Sequence, residues 1–428
     1  MNIFRYTDAT FADEIRAFDR RAEASDAVRG VVSGVIADIR ARGDDALIEL
    51  TKKFDGADLT PQTLKVSDEE IEAAWAALDP SVKDALEKSC RNVSTFAHKS
   101  LRKEWHTTNE QGAEVGEVYY PFERVGLYVP GGTAPLVSTA IMTVAIAAAA
   151  GVPEIVVCTP CGKDGKVNPN LLAALKMAGA TEVYRVGGSQ AIAAMAYGTA
   201  TIEPVVKIFG PGNSYVVEAK RQVFGVVSID LLPGPSEVVV LADSSANPAF
   251  IAADLLAQAE HGKDSAAGFI TDDETLLNSV LEQIEVQGAK LSRQQMVTSV
   301  LDKNCFLILT PTLEEAADLV NQYAPEHLSL VTAREHEILP LIRTAGAIFL
   351  GNYSPVAAGD FLAGPSHTLP TGGAGKSFPG LTADMFQRRT SIVRLSKEAI
   401  AQSEPVIRAF SEIEGLDAHG FSATVRLG

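Results

Sequence analysis

The sequence predicts an α/β fold: two Rossmann-like parallel-sheet domains with small N- and C-terminal helical segments. Three observations predict it. From residue 125 onward, short β-branched runs alternate with helical stretches in two successive series, the pattern of βαβ units whose parallel sheets are covered on both faces. The first four runs end in glycine or proline, the punctuation at which a strand gives way to a helix. Finally, 428 residues with 46% apolar and 21% charged side chains suit two or three globular domains.

Residues 1–124 read as helical and charged, with apolar residues at helical spacing: Val31, Val35, Ile36 and Ile39, then Ile71, Ala74 and Leu78. The first strand series is VGLYV at 125–129, EIVVC at 154–158, EVYRV at 182–186, VVKIF at 205–209 and VSIDL at 227–231. Between its first two members lies Ala134 to Val152, built on alanine and interrupted by Ser138, Thr139 and Thr143. It reads as a helix buried against a sheet, because a membrane span wants about 20 strongly apolar residues. The second series is EVVVLAD at 237–243, AAGFIT at 266–271, CFLILT at 305–310, HLSLVT at 327–332 and AGAIFL at 345–350. A Gly/Pro-rich stretch runs to 380, and helices are expected at 397–404 and 405–414, the second started by Pro405 and stopped by Gly415. The expected domains are an arm at 1–25, one α/β domain from 26–124 plus 237–380, a second from 125–236, and a tail at 381–428 that is too short to stand alone.

Thirty-seven basic against 54 acidic residues give a net charge of −17, which disfavours gripping nucleic acid or docking on an anionic membrane. Four cysteines are no disulfide framework and point to a reducing, cytoplasmic compartment. Arg5, Asp8, Asp13, Glu14, Arg16, Asp19 and Arg20 break any signal-peptide core.

Three glycine turns follow strands of the first series: Val129 to Thr133, Gly187 to Gln190 and Gly210 to Asn213. Such turns let backbone N–H groups and helix N-termini face an anion at the carboxyl edge of a sheet, although a tight strand–helix turn alone also explains them, and G-x-G-x-x-G is absent. Gly372-Gly-Ala-Gly-Lys-Ser377 fails as a phosphate loop, since Pro370 stands where glycine is required. Cys158-Thr-Pro-Cys161 is a lone pair at the end of an apolar strand and reads as buried thiols. Gln258 and His261, three apart near a helix end, leave one helix face together. That suits two metal ligands, or a histidine meeting the helix dipole. Glu326 and His327 place an acid beside a base in a loop entering a strand, where they serve different atoms. Asp360, His367, Glu414 and His419 lie in polar, glycine-rich or terminal regions.

Together the segments VGLYVPGGTAPLVST (125–139), RVGGSQAIAAMAYGT (185–199), KIFGPGNSYV (207–216), DLLPGPSEV (230–238), LLAQAEHGKDS (255–265), YAPEHLSL (323–330) and GPSHTLPTGG (364–373) resemble histidinol dehydrogenase over nearly the whole chain. The resemblance implies a homodimer that oxidises L-histidinol to L-histidine in two steps with NAD. It implies one zinc ion per site on Gln258, His261, Asp360 and His419, with His419 and Glu414 crossing from the partner subunit. Glu326 and His327 match the family's catalytic pair, Tyr128, Gln190 and Asn213 its NAD contacts. Ser236 and His367 match substrate contacts, as do Glu414 and the four metal ligands, and His327 touches substrate too. Ser366 departs from the asparagine expected in many members, and the stretch at 374–380 is less familiar. Relatives act on other alcohols, including sulfonated diols; Glu414 suits a cationic amino alcohol instead. A non-catalytic nucleotide-binding regulator on the same fold is the alternative outside enzymology.

Overall fold

The β-branched runs form strands within two residues of where their patterning places them. The structure is a computed structural model and describes residues 1–18, 25–131 and 136–428. Its strands among those residues are β1 (Asn2–Arg5), β2 (Trp105–Thr108), β3 (Glu114–Pro121), β4 (Arg124–Tyr128), β5 (Glu154–Thr159), β6 (Glu182–Arg185), β7 (Lys207–Phe209), β8 (Ser228–Ile229), β9 (Glu237–Ala242), β10 (Ala266–Thr271), β11 (Cys305–Leu309), β12 (His327–Val331), β13 (Ala347–Leu350) and β14 (Gln387–Arg394). The first series makes a five-stranded parallel sheet in the order β6-β5-β4-β7-β8. The second makes a six-stranded parallel sheet, β1-β11-β10-β9-β12-β13. A small antiparallel sheet, β14-β3-β2, is a third layer.

Four expectations need correction. Residues 2–5 are a strand rather than part of a helical arm, because Ile3 and Phe4 pair with Leu307 and Ile308 along the edge of the six-stranded sheet. Residues 105–108 and 114–121 are also strand, and β14 takes 387–394 out of the tail, since each supplies the hydrogen-bonding edge the other needs. The helices between 26 and 100 pack on the five-stranded sheet and not on the later one. Val32, Val35, Ile36 and Ile39 bury against Ile192, Ala194 and Val216 on one face, while Ala74, Val93 and Ala97 join Val125, Leu127 and Ile141 on the other. A sheet with two apolar faces needs both covered, and the preceding helices supply what its own crossovers do not. Finally, Pro405 sits inside one helix, Lys397–Glu414. A proline removes one backbone bond, and here the next helix, Asp417–Thr424, braces both sides of it through Thr424 to Glu404 and Gly420 to Ser411.

The alanine-rich stretch is helical over Val137–Ala149, with a π turn at Ile141–Ala145 whose residues are all buried. Ala134 and Pro135 lie outside the described residues, as do residues 19–24 of the expected arm. No described helix is long and apolar enough to cross a membrane.

Arg124, at the start of β4, ties the leading ends of three strands together by bonding Glu154 at 2.8 Å and Glu182 at 2.7 Å. Burial pushes the Glu182 carboxyl up, but bonds from Arg124 and Tyr184 outweigh it and hold it at about 2, against an ordinary 4.5. A depressed carboxyl stabilises the fold above its ordinary value and loses that contribution as pH falls through its folded value. Arg124→Met is expected to cost about 2 kcal/mol near pH 7. Denaturant titrations should show the deficit shrinking as pH drops from 4.5 toward 2; a deficit independent of pH would refute the ion-pair account.

Candidate active site

The chemistry-bearing residues of the second series gather at the amino ends of its strands. The helix Leu313–Tyr323 ends on Ala324, whose φ of 56° is the only positive value outside glycine among the described residues. This left-handed turn swings the chain through Pro325 into Glu326 and His327, and backbone strain of this kind concentrates at functional sites. β12 then pairs with β9 so that His327 stands opposite Val238. Glu326 Oε2 accepts the Ser236 hydroxyl at 2.7 Å and the Glu237 N–H at 2.8 Å. His327 Nδ1 lies 3.0 Å from the Glu237 carbonyl. A carbonyl only accepts, so Nδ1 carries the proton and Nε2 holds the lone pair. That Nε2 is buried without a hydrogen-bond partner, 3.7 Å from Asp360 Oδ1. Glu326 Oε2 is 3.6 Å from His327 Nδ1, too long for a bond and facing an N–H already given to Glu237.

Burial dominates the protonation states. It pushes the Glu326 carboxyl up to about 8 against the pull of Ser236 and Glu237, with Asp360 adding to the rise. It lowers His327, which Asp360 only partly offsets, and raises Asp360 in turn. His261 is also lowered, by burial and then by repulsion from His327. His367 is pushed down to about 4 by burial and by His327. The histidines that lower one another, and the acids Glu326 and Asp360, form one electrostatic cluster. His367 has both ring nitrogens engaged: Nδ1 is 3.2 Å from the Asp360 carbonyl, so Nε2 accepts the Thr139 hydroxyl at 3.3 Å. Ser366 donates to the Met142 carbonyl inside the π turn at 2.9 Å. A cavity of about 940 Å³ opens on this cluster, walled by His327, Phe349, Asp360, His367, Lys376 and Phe378 among others.

Gln258 closes the helix Pro248–Ala259, with His261 just beyond it. The Gln258 amide nitrogen is buried without a partner. Among the described residues no three His, Cys, Asp or Glu side chains gather at metal-binding range. Glu414 and His419 are exposed on the C-terminal hairpin, so the structure does not bring them to Gln258, His261 and Asp360 within one chain.

The glycine turns lie at the carboxyl ends of β4, β6 and β7. Gly132 and Thr133 of the first fall outside the described residues. Tyr128, buried at the end of β4, accepts the Gly188 N–H on its hydroxyl at 3.2 Å. Gln190 is buried in the next turn, and a Cβ on Gly188 would stand 2.8 Å from its Oε1. Asn213 caps the helix Ser214–Val223, accepting from the Tyr215 and Val216 N–H groups. Sequence reasoning missed Glu237, Thr139, Lys220 and Asp230. Glu237 works through its backbone, Thr139 sat in an unremarkable alanine helix, and a helical lysine looks like surface until its burial is seen.

A nucleotide-type loop set on one sheet, beside a buried glutamate–histidine pair on the other, has the make-up of an oxidoreductase that works with a dinucleotide. The sequence profile of histidinol dehydrogenase matches residues 18–427. The chain is 44% identical over 396 residues to the histidinol dehydrogenase of Heliobacterium mobile, covering 92% of this chain and 93% of that protein. It is 43% identical over 429 residues to that of Geobacter sulfurreducens, covering 100% of each. The crystal structure of histidinol dehydrogenase from Elizabethkingia anophelis superposes with a TM-score of 0.95 at 37% identity, over 100% of this chain and 98% of that one. The chain belongs to the histidinol dehydrogenase family, a family of NAD-dependent oxidoreductases.

The cysteines stay outside this chemistry. Burial pushes the Cys158 thiol up to about 12 and Cys161 to about 11. Near neutral pH Cys161 is then held in its thiol form. Iodoacetamide is expected to leave native Cys158 and Cys305 unmodified and to label Cys161 far more slowly than a free thiol, read by intact mass; labelling of Cys161 within minutes would reopen a redox role.

Proposed function

We propose that the protein is a cytoplasmic, homodimeric, zinc-dependent L-histidinol dehydrogenase, oxidising L-histidinol through L-histidinaldehyde to L-histidine as the last step of histidine biosynthesis. The observation that carries this reading is His327: its Nδ1–H is committed to the Glu237 carbonyl, which leaves a buried, unpartnered Nε2 as a base facing the cavity. Family membership supports the substrate, and four free cysteines accord with a reducing cytoplasm.

The residues fit a zinc ion. Gln258 has a buried amide end with no partner, and rotating that amide presents its oxygen instead. With the His261 and Asp360 side chains it forms an N/O donor set free of thiolates, acceptable to zinc with a position left open. Held by these side chains, zinc would supply a Lewis acid to bind and orient the nitrogen donors of the substrate. His327 Nε2 takes the proton from the alcohol oxygen while hydride would pass from the carbinol carbon to NAD. Glu326, fixed by Ser236 and Glu237 through one oxygen, activates water with the other in its ionised form, which gains population as pH rises toward about 8, to hydrate the aldehyde. Once it has released that first proton to solvent, His327 deprotonates the resulting gem-diol, and a second hydride would pass to a second NAD, giving the carboxylic acid, which ionises to the carboxylate. Ser236 and His367, whose polar atoms are engaged within the chain, act at the substrate by holding Glu326 and the Asp360 loop. Tyr128, Gln190 and Asn213 line the NAD site, where the glycine loops offer N–H donors.

Val406, Phe410 and Ile413 form an exposed apolar stripe at helical spacing, continued by Phe421 on the second helix of the hairpin and Val425 just past its end. This supports a dimer in which the tail lies on the partner, with Glu414 and His419 completing the partner's site.

His327→Ala should reduce both oxidations by about a hundredfold or more, whereas Glu326→Gln should spare the first hydride transfer and slow aldehyde oxidation by a similar factor. Stopped-flow NADH formation from histidinol and from histidinaldehyde separates the two, and normal aldehyde oxidation by Glu326→Gln would refute its role. A chelator should abolish turnover; metal-loaded protein inert toward histidinol but active on a sulfonated diol would reassign the substrate. NAD binding without zinc or turnover would make the protein a regulator.

Two inactive variants should complement across the dimer. Refolded together, Gln258→Ala and His419→Ala chains form half mixed dimers, each with one intact site, so about a quarter of wild-type activity returns. No recovery would place His419 in its own chain's site or outside it.

A further inference from the structure

Beside the loop Gly210–Asn213 lies an ion pair whose side chains are both fully buried, Lys220 with Asp230. Lys220 is on the helix Ser214–Val223 that follows the loop, and Asp230 comes directly after β8. Sealing opposite charges in the interior is costly, and apolar replacements for such pairs are often neutral or stabilising. Stability is therefore a poor explanation for this one, and its hydrogen bonds offer a better one.

The pair grips a single residue from both sides. Lys220 Nζ donates to the Gly210 carbonyl at 3.0 Å, and the Gly210 N–H donates to Asp230 Oδ2 at 2.8 Å. Asp230 Oδ1 accepts the ammonium and, at 2.6 Å, the Leu231 N–H. Gly210 has φ +112°, and a Cβ in its place would stand 2.2 Å from the Tyr128 carbonyl oxygen. The loop is thus pressed onto the end of β4, whose Tyr128 hydroxyl reaches the second glycine loop at Gly188. Buried as it is, the ammonium meets no ligand itself.

We propose that Lys220 and Asp230 are a positioning pair that sets the Gly210–Asn213 loop, and through Tyr128 its neighbour, in the geometry that receives the dinucleotide. This rests on the NAD reading above. Misplacing a binding loop by about 1 Å can cost about a hundredfold, so the pair governs dinucleotide affinity while leaving the histidinol cavity, which belongs to the other sheet, untouched.

The test is calorimetric titration with NAD and amide hydrogen exchange on the full-length dimer, for the wild type, Lys220→Met and Lys220→Gln. Lys220→Met is expected to weaken NAD binding about tenfold or more and to speed exchange across residues 207–216, with histidinol KM and bound zinc within about twofold of wild type. Lys220→Gln carries the same readouts if the methionine variant does not fold. Unchanged exchange at 207–216 in a folded variant overturns the proposal, as does a parallel fall in NAD and histidinol affinity. Should the wild type bind no NAD, the NAD reading fails, and the exchange result alone still decides whether the pair sets the loop.

Discussion

The lateral pairing of β9 with β12 is the contact on which the site depends. With His327 opposite Val238, the residues just before β9 lie alongside the residues just before β12. The Glu237 peptide then serves both members of the pair: its N–H goes to Glu326 and its carbonyl to the His327 ring. A slip of one residue would turn every side chain of β12 to the other face and undo both bonds at once. The Glu237 carboxylate also accepts the Gly372 N–H at 2.8 Å, so the loop carrying His367 docks on the same strand end. Orientation of Glu326, His327 and the loop carrying His367 follows from one register.

The two sheets present opposite poles to the reaction. Ligands of open α/β sheets bind at strand carboxyl ends, and the glycine turns of the five-stranded sheet lie at those ends. The six-stranded sheet does not: Ser236, Glu326 and His327 all precede or begin its strands. Helix Val137–Ala149 spans the difference. It follows β4 in the chain, and it touches the other site through Thr139 to His367 and through Met142 to Ser366. The π turn matters here, because widening a helix frees carbonyls from their usual partners, and the Met142 carbonyl takes an outside donor.

How much of this could be read from the sequence divides along physical lines. Ten strands of the two parallel sheets were legible because a buried parallel strand is a continuous apolar run with a turn at its end. β1, β2, β3 and β14 were not, since edge and antiparallel strands such as Trp105–Thr108, exposed at every residue, carry no such run. The side of the molecule that residues 26–100 cover was illegible as well: an apolar stripe says that a helix packs, not on what. At the site, Glu326, His327, Gln258 and His261 were visible as residue types in suggestive spacings. The partners that give them meaning are backbone atoms of Glu237 or long-range contacts such as Thr139 with His367, 228 positions apart, and neither leaves a local mark.

Under the NAD reading, the net charge of −17 sets a problem for binding an anion that would have to be answered locally. Long-range repulsion is screened beyond about 10 Å at 0.1 M salt, so affinity is decided by groups within that distance of the phosphates. The buried lysine nearest these loops is unavailable, being fully enclosed with Asp230. What stands at these strand ends instead is peptide: the helices beginning at Gly188 and Ser214 both start at strand carboxyl ends, and each brings the positive end of a helix dipole. Peptide donors suit the task better than mobile cations. They are fixed by the strands before them, and they hold an anion without adding charges that would draw in every other anion in the cell. The ion pair behind Gly210 then reads as the inner half of the same device, with its charge spent on holding a peptide and not on the ligand.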